Sequence, residues 1–153
     1  MELNYCEISK SDVDVVVDLL NQIPEFDADF SVKMILDRIA SAESIIIVAK
    51  FAGKIVGCKI AYNRYFDGSI YSWLGAVLPP FRNQGVALGL LNKLEEQARL
   101  KFFRSIRFKT RNKHVDMLRF ALKNGFHVIG FEAKKPETES RIELFKPIED
   151  GKE

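Results

Sequence analysis

The sequence predicts a mixed α/β fold of about seven strands and four helices, in the order β-α-α-β-β-β-α-β-α-β-β. Three observations support this prediction. The 153 residues are 47% hydrophobic and 29% charged, which is typical of one globular domain, here residues 1–153. Apolar residues alternate in some segments and recur every three to four residues in others. A helical segment also lies between two strand-like segments at 69–110, which predicts a parallel strand pair joined by a right-handed crossover.

The N-terminal part is predicted to contain one strand, two helices and a buried strand. LNYCEI (3–8) alternates as a strand, and Ser9 or Ser11 can cap the helix that follows. The two helices are DVDVVVDLLN (12–21) and SVKMILDRIA (31–40). SIIIVAKF (44–51) is a continuous apolar run, which fits a strand that is covered on both faces.

The middle of the chain is predicted to form a β-hairpin and a long helix. Asp67-Gly68 favours a type I′ turn, so SIYSWLGAV (69–77) should pair antiparallel to KIVGCKIAYNRYF (54–66). Gly75 lies inside the second of these strands and could mark a β-bulge. From Gly85 onward apolar residues recur at helical spacing, at Ala87, Leu90, Leu91, Leu94, Ala98 and Phe102.

The C-terminal part is predicted to form three strands and one helix. SIRFKT (105–110) alternates as a strand, and HVDMLRFALK (114–123) has helical spacing and ends before Gly125. FHVIGFEA (126–133) and RIELFKPI (141–148) complete the chain as two strands. There is no internal repeat and no linker.

Charge, cysteine spacing and hydropathy indicate which partners and which location to expect. The net charge is +2, although residues 99–123 contain nine Lys or Arg and one acid, Asp116. Such a block can attract nucleic acid or an anionic cofactor, or simply face water. Cys6 and Cys58 lack zinc-site spacing, so we expect reduced, buried thiols and no metal. No secretory signal or 18-residue apolar run is present, so we expect a cytoplasmic protein that does not bind membranes.

The stretch PPFRNQGVALGLL (79–91) carries the clearest functional signal. Pro79 and Pro80 have no N–H, so they direct the chain out of the sheet at the C-terminal end of a strand, where ligands bind in open α/β sheets. The following turn and helix start offer unsatisfied amides, which together with the helix dipole can bind an anion. Neither GxxxxGK[ST] nor GxGxxG is present, which argues against a P-loop or a dinucleotide site.

This stretch resembles the acetyl-CoA motif V-x-P-x-[YF]-R-x-x-G-x-[GA] of the GCN5-related N-acetyltransferases. The motif is matched in order and spacing by Val77, Pro79, Phe81, Arg82, Gly85 and Ala87. The predicted element order also matches that fold, so the resemblance covers nearly the whole chain. It implies a central, mostly antiparallel mixed sheet and acetyl-CoA as cosubstrate.

The resemblance also implies which residues bind coenzyme A. Amides from about Gln84 to Leu88, which include Gly85, Val86 and Ala87, would hold the pyrophosphate, next to Arg82 and Asn83. Backbone groups of Ala76, Val77 and Leu78 would pair with the pantetheine arm. Asn112 resembles an asparagine that contacts the cofactor, although counting back from Gly125 places His114 there instead; Asn112 could also cap a helix.

The catalytic groups are less clear from the sequence. The family usually works by direct attack of the amine on the thioester, with a backbone amide, here near Val77, polarising the carbonyl. Residues 69–77 contain no Asp or Glu to act as general base; Tyr71 is the candidate side chain, and Asp67 is nearby but suits the chemistry of the hairpin turn. The family's general-acid tyrosine corresponds to Ala121, so the proton donor is Tyr65, Tyr71, His114 or water, or the thiolate leaves unassisted.

The acceptor is predicted to be a primary amine of a small molecule or peptide. In the family the loop between the first two helices binds the acceptor, and here Glu25 and Asp27 accompany aromatic residues in that loop; Trp73 is a further candidate for acceptor binding. Acids and ring faces suit a cationic amine. The sequence therefore predicts an N-acetyltransferase, the alternative being a catalytically silent acyl-CoA-binding module. No nucleic-acid partner is expected, and the oligomeric state, a homodimer included, is left open.

Overall fold

The computed structural model describes residues 2–26 and 29–148, and over these ranges it contains seven strands and four α-helices. The strands are β1 (Asn4–Ile8), β2 (Ser44–Phe51), β3 (Lys54–Tyr62), β4 (Ser69–Val77), β5 (Ser105–Arg111), β6 (His127–Glu132) and β7 (Arg141–Pro147). The helices are α1 (Asp14–Leu20), α2 (Val32–Ile39), α3 (Val86–Leu100) and α4 (Val115–Lys123). The predicted fold class and element order are confirmed.

The strands form one mixed sheet in the order β1-β2-β3-β4-β5-β7-β6. Neighbouring strands are antiparallel except β4 and β5, which are parallel, as the crossover through α3 predicts. Strand β2 lies between β1 and β3 and is buried on both faces, which agrees with its continuous apolar sequence. The placement of β7 between β5 and β6 has no counterpart in the sequence prediction.

The sheet opens between its two parallel strands. Pairing of β4 with β5 extends only from Ser69–Ser105 to Tyr71–Arg107. Beyond that point β4 stays paired with β3 as far as Val77, and β5 stays paired with β7 as far as Arg111. A V-shaped gap therefore separates the C-terminal halves of β4 and β5.

Two local predictions about β4 are wrong. The register between β3 and β4 shifts because Leu74 opposes Ile60 whereas Ser72 opposes Ala61, so the extra residue is Trp73, and Gly75 pairs regularly with Lys59. The connection before β4 spans residues 63–68 and is not a type I′ turn, because its positive φ angles occur at Phe66 and Gly68 and not at Asp67. Asp67 instead accepts hydrogen bonds from Ser69, from its N–H at 3.0 Å and from its Oγ at 2.5 Å.

The helices cover opposite faces of the sheet. A Cβ at Gly57 of β3 would meet Val86 and Leu90 of α3 at 3.1 and 3.2 Å, so this glycine permits close packing of α3. Arg38 of α2 donates to the hydroxyl of Tyr62, which is on the other face because strand side chains alternate. The sheet is therefore a layer between α3 and α2.

Helix α3 ends earlier than predicted, and two residues that were predicted to lie on its apolar face are exposed. Leu90, Leu91, Leu94 and Ala98 are buried as expected, but Ala87 is exposed. Phe102 lies beyond the helix with a φ of 70° and is 90% exposed. The buried residue at the start of α3 is Val86, one position before the predicted one.

Candidate active site

The turn before α3 presents a row of unbonded amides. Gly85 has a φ of 84° and a ψ of 5°, a left-handed conformation that glycine adopts without strain. Within residues 2–26 and 29–148, no acceptor bonds the backbone N–H groups of residues 83 to 88, and the first N–H that is satisfied is that of Gly89, which donates to the Gly85 carbonyl at 3.0 Å. A Cβ at Gly85 would have no atom within 4 Å, so the space before these amides is open. This geometry fits an anionic group such as a diphosphate.

Arg82 anchors this turn to the rest of the protein. Its Nη1 and Nη2 donate to Glu25 at 2.8 and 2.9 Å, and its Nε donates to the Val77 carbonyl at 3.0 Å. The guanidinium lowers the pKa of Glu25 chiefly through these hydrogen bonds, and Glu25 raises the pKa of Arg82. All three kinds of donor on Arg82 therefore have partners within the protein, and one of them ties the turn to the end of β4.

Along the C-terminal half of β4, the backbone N–H and C=O groups point alternately toward β3 and toward the gap. The Leu78 N–H donates to the Val56 carbonyl at 2.9 Å, so Leu78 faces β3, and so does Ala76 by the two-residue alternation of a strand. The backbone groups of Val77 and Gly75 face the gap, and the Val77 carbonyl is the one that Arg82 uses. Among the three residues predicted to pair with a ligand, Val77 thus has the N–H that is directed toward the gap.

A cleft of about 190 Å³ occupies the gap. The cleft is lined by Lys59 of β3, residues 72–75 of β4, residues 106 and 108–110 of β5, Leu91 of α3, Met117, Phe120 and Ala121 of α4, and by Phe26 and Phe126. Apolar groups dominate these walls, and their ionisable members are Lys59 and Lys109. The cleft begins where β4 and β5 separate, so an arm that lies along β4 from the α3 turn would reach it.

Tyr71 lies at the point where the two strands separate, on the α2 face of the sheet. It is 6% exposed and makes edge-on ring contacts with Tyr62 and Tyr65, both at 5.9 Å, while the Arg64 guanidinium stacks on its ring at 4.6 Å. Burial raises the pKa of Tyr71, so the group is a neutral phenol at neutral pH. It can donate a proton but is a poor general base.

The residues predicted to bind the acceptor are only partly brought together. Trp73 lines the cleft, with the Arg38 guanidinium 4.7 Å from the centre of its ring. Glu25 is paired with Arg82, so most of its charge is compensated. Asp27 lies outside the described residues. Phe26 contributes to the cleft wall and contacts Phe30 edge-on at 5.2 Å.

Asn112 does not line the cleft. Its N–H donates to the Ser140 carbonyl at 2.8 Å, and its Nδ2 donates to the Glu137 carbonyl at 3.4 Å, which ties the end of β5 to the turn before β7. It does not cap α4 either, because the residue at the cap position is His114, which makes no side-chain cap bond.

At least four of the nine cations in the basic block at 99–123 are paired with acids. Ion pairs link Lys101 to Glu7, Arg107 to Asp67 and Glu143, and both Arg111 and Lys113 to Glu139. The positive charge of β5 is therefore substantially neutralised. Within the described ranges no cluster of three or more metal-ligating side chains occurs, and no helix is long and apolar enough to cross a bilayer. Both thiols are free, with Cys58 buried and Cys6 half-buried.

Comparison with known proteins identifies the family and supports the fold. The sequence model of the acetyltransferase (GNAT) family matches residues 14–126. The chain belongs to the acetyltransferase (GNAT) family. The matched region includes both the α3 turn and the cleft, which agrees with the resemblance carried by Val77, Arg82 and Gly85.

Solved GNAT structures share the fold over nearly their whole length. The ribosomal-protein-S18-alanine N-acetyltransferase of Escherichia coli is 15% identical, with a TM-score of 0.81 and coverage of 99% of this chain and 97% of that one. Ard1 of Thermoplasma volcanium is 20% identical, with a TM-score of 0.78 and coverage of 97% and 99%. A GNAT acetyltransferase of Elizabethkingia anophelis, crystallised with acetyl-CoA bound, is 20% identical, with a TM-score of 0.75 and coverage of 95% and 97%. No curated protein sequence is significantly similar to this chain.

Sequence reasoning missed two contributors to this site. One is the backbone of Gly75, whose N–H is directed to the gap by strand alternation. The other is Lys59, whose ammonium lines the cleft. A signal for Lys59 was available, because it is the one charged residue within residues 55–62, an otherwise apolar strand segment.

Proposed function

We propose that this protein is an acetyl-CoA-dependent N-acetyltransferase that transfers an acetyl group to a primary amine of a small molecule or peptide by direct attack. The observation that carries the proposal is the run of unbonded amides at residues 83–88, next to a strand edge that is left free where β4 and β5 separate. An anion-binding turn and an open strand edge are what a nucleotide diphosphate with a peptide-like arm requires. Crystals of a GNAT relative hold acetyl-CoA.

In this proposal the amides of Gln84, Gly85, Val86, Ala87 and Leu88 bind the pyrophosphate, with the Asn83 amide beside them. The pantetheine arm lies along residues 76–78, and strand alternation assigns the contact to the Val77 N–H. Arg82 keeps the turn and the end of β4 in place through Glu25 and the Val77 carbonyl, and a direct contact of Arg82 with phosphate would require it to leave Glu25. Asn112, which lies away from the cleft, is a weaker candidate for a cofactor contact.

The proposed chemistry depends mainly on backbone groups. Acetyl-CoA supplies an activated acyl carbon. The Val77 N–H polarises the thioester carbonyl as the neutral amine attacks, and this donor costs little reorganisation because the strand already holds it in place. Tyr71, as a neutral phenol beside the point of strand separation, orients the amine or exchanges a proton with it through solvent.

The acceptor is proposed to approach from the α2 face. Trp73 and Phe26 line the cleft on that side and offer ring faces to an amine. Asp27 and Glu25 would add negative charge, although Arg82 weakens the contribution of Glu25. An amine that is held against these groups would face the thioester across the gap between β4 and β5.

The second candidate function is a catalytically silent acyl-CoA-binding module, and the composition of the cleft walls supports it. The described walls of the cleft contain no Asp, Glu or His, and Ala121 of α4 provides no hydroxyl. A protein of this kind would bind coenzyme A through the same amides but would not turn over acetyl-CoA.

Release of free CoA thiol separates the two candidates. Calorimetry with CoA tests the binding site, and a thiol assay with acetyl-CoA and a panel of small amines and peptide N-termini tests transfer. Thiol release that depends on an amine, with the matching amide found by mass spectrometry, supports the transferase. Micromolar CoA binding without transfer to any amine supports the binding module. No detectable CoA binding contradicts both the transferase and the binding module.

A further inference from the structure

Lys59 crosses strand β4 to reach the cleft. It lies on β3 directly opposite Gly75, and a Cβ at Gly75 would be 3.3 Å from its Nζ and 3.9 Å from its Cγ. The lysine stem therefore passes over the position where any other residue would carry a side chain. Its ammonium lies on the α3 face of the sheet, beside the β4 edge to which the Val77 and Gly75 amides belong.

The Lys59 ammonium has no acidic partner among the described residues. Its one hydrogen bond is to Ser72 Oγ at 3.2 Å, and within residues 2–26 and 29–148 no carboxylate lies within ion-pair distance of it. Burial in the cleft is the main cause that lowers the pKa of Lys59 to about 8. Uncompensated cations in apolar clefts are uncommon, because desolvation of the charge is costly. A role toward a ligand accounts for such a group better than a structural role does.

The other walls of the cleft offer few alternatives as proton donors. Helix α3 contributes Leu91, and α4 contributes Met117, Phe120 and Ala121, none of which titrates. Strand β5 contributes Lys109, and Cys58 is a neutral thiol because burial raises its pKa to about 12. Among the residues that the structure describes, Lys59 and Lys109 are thus the charged groups that face the cleft, and Lys59 is the one that contacts β4.

We propose that Lys59 is a catalytic residue that stabilises and protonates the coenzyme A thiolate as it leaves. This proposal rests on the proposed function. The amine nitrogen forms a bond to the acyl carbon, the C–S bond breaks, and its electron pair stays on sulfur. The Lys59 ammonium transfers one proton to that sulfur, and the proton lost by the attacking nitrogen returns to Lys59 through Ser72 and solvent. The products are an amide and a neutral thiol, so atoms and charge balance.

The first test uses the binary complex with CoA and needs no acceptor. A cation within about 6 Å lowers the pKa of a thiol by about one pH unit or more, so ultraviolet titration should show the bound CoA thiol ionising at lower pH than free CoA. Lys59→Met should remove this difference, Lys59→Arg should retain it, and Lys54→Met, an exposed lysine of the same strand, should leave it as in wild type. Bound CoA that titrates like free CoA overturns the proposal but leaves the proposed function intact. Failure of CoA to bind overturns both.

The second test uses turnover. Loss of a general acid costs about 100-fold in kcat, so Lys59→Met should show such a loss with KM for acetyl-CoA within about threefold of wild type. Lys59→Arg should keep the charge but transfer no proton, and its kcat should also stay low. The alkaline decline of kcat near pH 8 in wild type should disappear in Lys59→Met. A Lys59→Met enzyme with wild-type kcat, or with an unchanged pH profile, overturns the proposal.

Discussion

Replacing Gly85 by glutamate tests the anion-binding turn with a charge and little steric effect. The position is exposed, and a Cβ there meets no atom within 4 Å, so a side chain fits without displacing neighbours. The φ of 84° is strained for a residue with a Cβ, which costs about 1–2 kcal/mol of folding free energy. Gly85→Gln carries the same strain and nearly the same volume. The difference between the two variants therefore isolates the negative charge.

The effect on CoA binding can be worked out from this geometry. A carboxylate about 5 Å from one phosphate charge costs about 3 kcal/mol at an effective dielectric constant of about 20. Exposure and salt reduce this value, and a net penalty of about 2 kcal/mol corresponds to about 30-fold weaker binding. We expect Gly85→Glu to bind CoA at least that much more weakly than Gly85→Gln, by calorimetry at low ionic strength.

The difference in CoA affinity between the two Gly85 variants also defines the result that would refute this prediction. Gly85→Glu and Gly85→Gln with CoA affinities within about threefold of each other would show that no phosphate lies near residue 85. Added salt should narrow the difference between the two variants, because both charges are exposed to solvent. Thermal unfolding of the free variants is the control, since equal melting temperatures exclude a difference in folding as the cause.

Three further predictions concern stability and reactivity. Gly57→Ala should lower the free energy of unfolding by about 1–3 kcal/mol in urea, because its Cβ would lie 3.1 Å from Val86; unchanged stability would contradict the close packing of α3 on β3. Glu25→Gln should cost at most about 1 kcal/mol at pH 7, since its ion pair with Arg82 is exposed. Because the pKa of Glu25 is lowered in the folded state, the ion pair contributes to stability above the ordinary glutamate pKa. This contribution should vanish as the pH falls through the pKa of Glu25 in the folded protein. A wild-type protein that stays more stable than Glu25→Gln in acid would refute this prediction. Cys58, whose pKa is raised to about 12, should resist iodoacetamide at pH 8 until the protein is unfolded.

Most of the fold could be predicted because local patterns determine it. Alternation, one continuous apolar run, a turn signal and helical spacing together located the seven strands and four helices, and the strand-helix-strand unit at 69–110 predicted the parallel pair. The insertion of β7 between β5 and β6 could not be predicted in this way. That arrangement depends on long-range pairing, such as Arg107 with Phe145, for which no short sequence pattern codes.

The turn before α3, which is proposed to bind an anion, was predictable because it uses residues with special backbone properties. Pro79 and Gly85 restrict the chain in ways that can be read without a structure. The positions of side chains in the cleft were harder to predict from the sequence. Gly75 suggested a bulge, but the bulge is at Trp73, and the glycine instead provides space for Lys59. A glycine in a strand indicates close approach of some group, and only the structure identifies which group approaches.

The proposed cofactor site depends on backbone groups, which is compatible with a fold that solved GNAT structures share at only 15–20% identity. Pairing stops after Tyr71, which frees the N–H groups of Gly75 and Val77 on one edge, and the α3 turn frees a second row of amides. Backbone groups exist whatever the side chains are, so selection on cofactor binding constrains few residue identities. The side chains that remain free to vary line the cleft, where this protein has a lysine from β3 and an alanine on α4. Differences in acceptor choice and proton transfer between GNAT proteins are therefore expected at such wall positions and not at the amide turn.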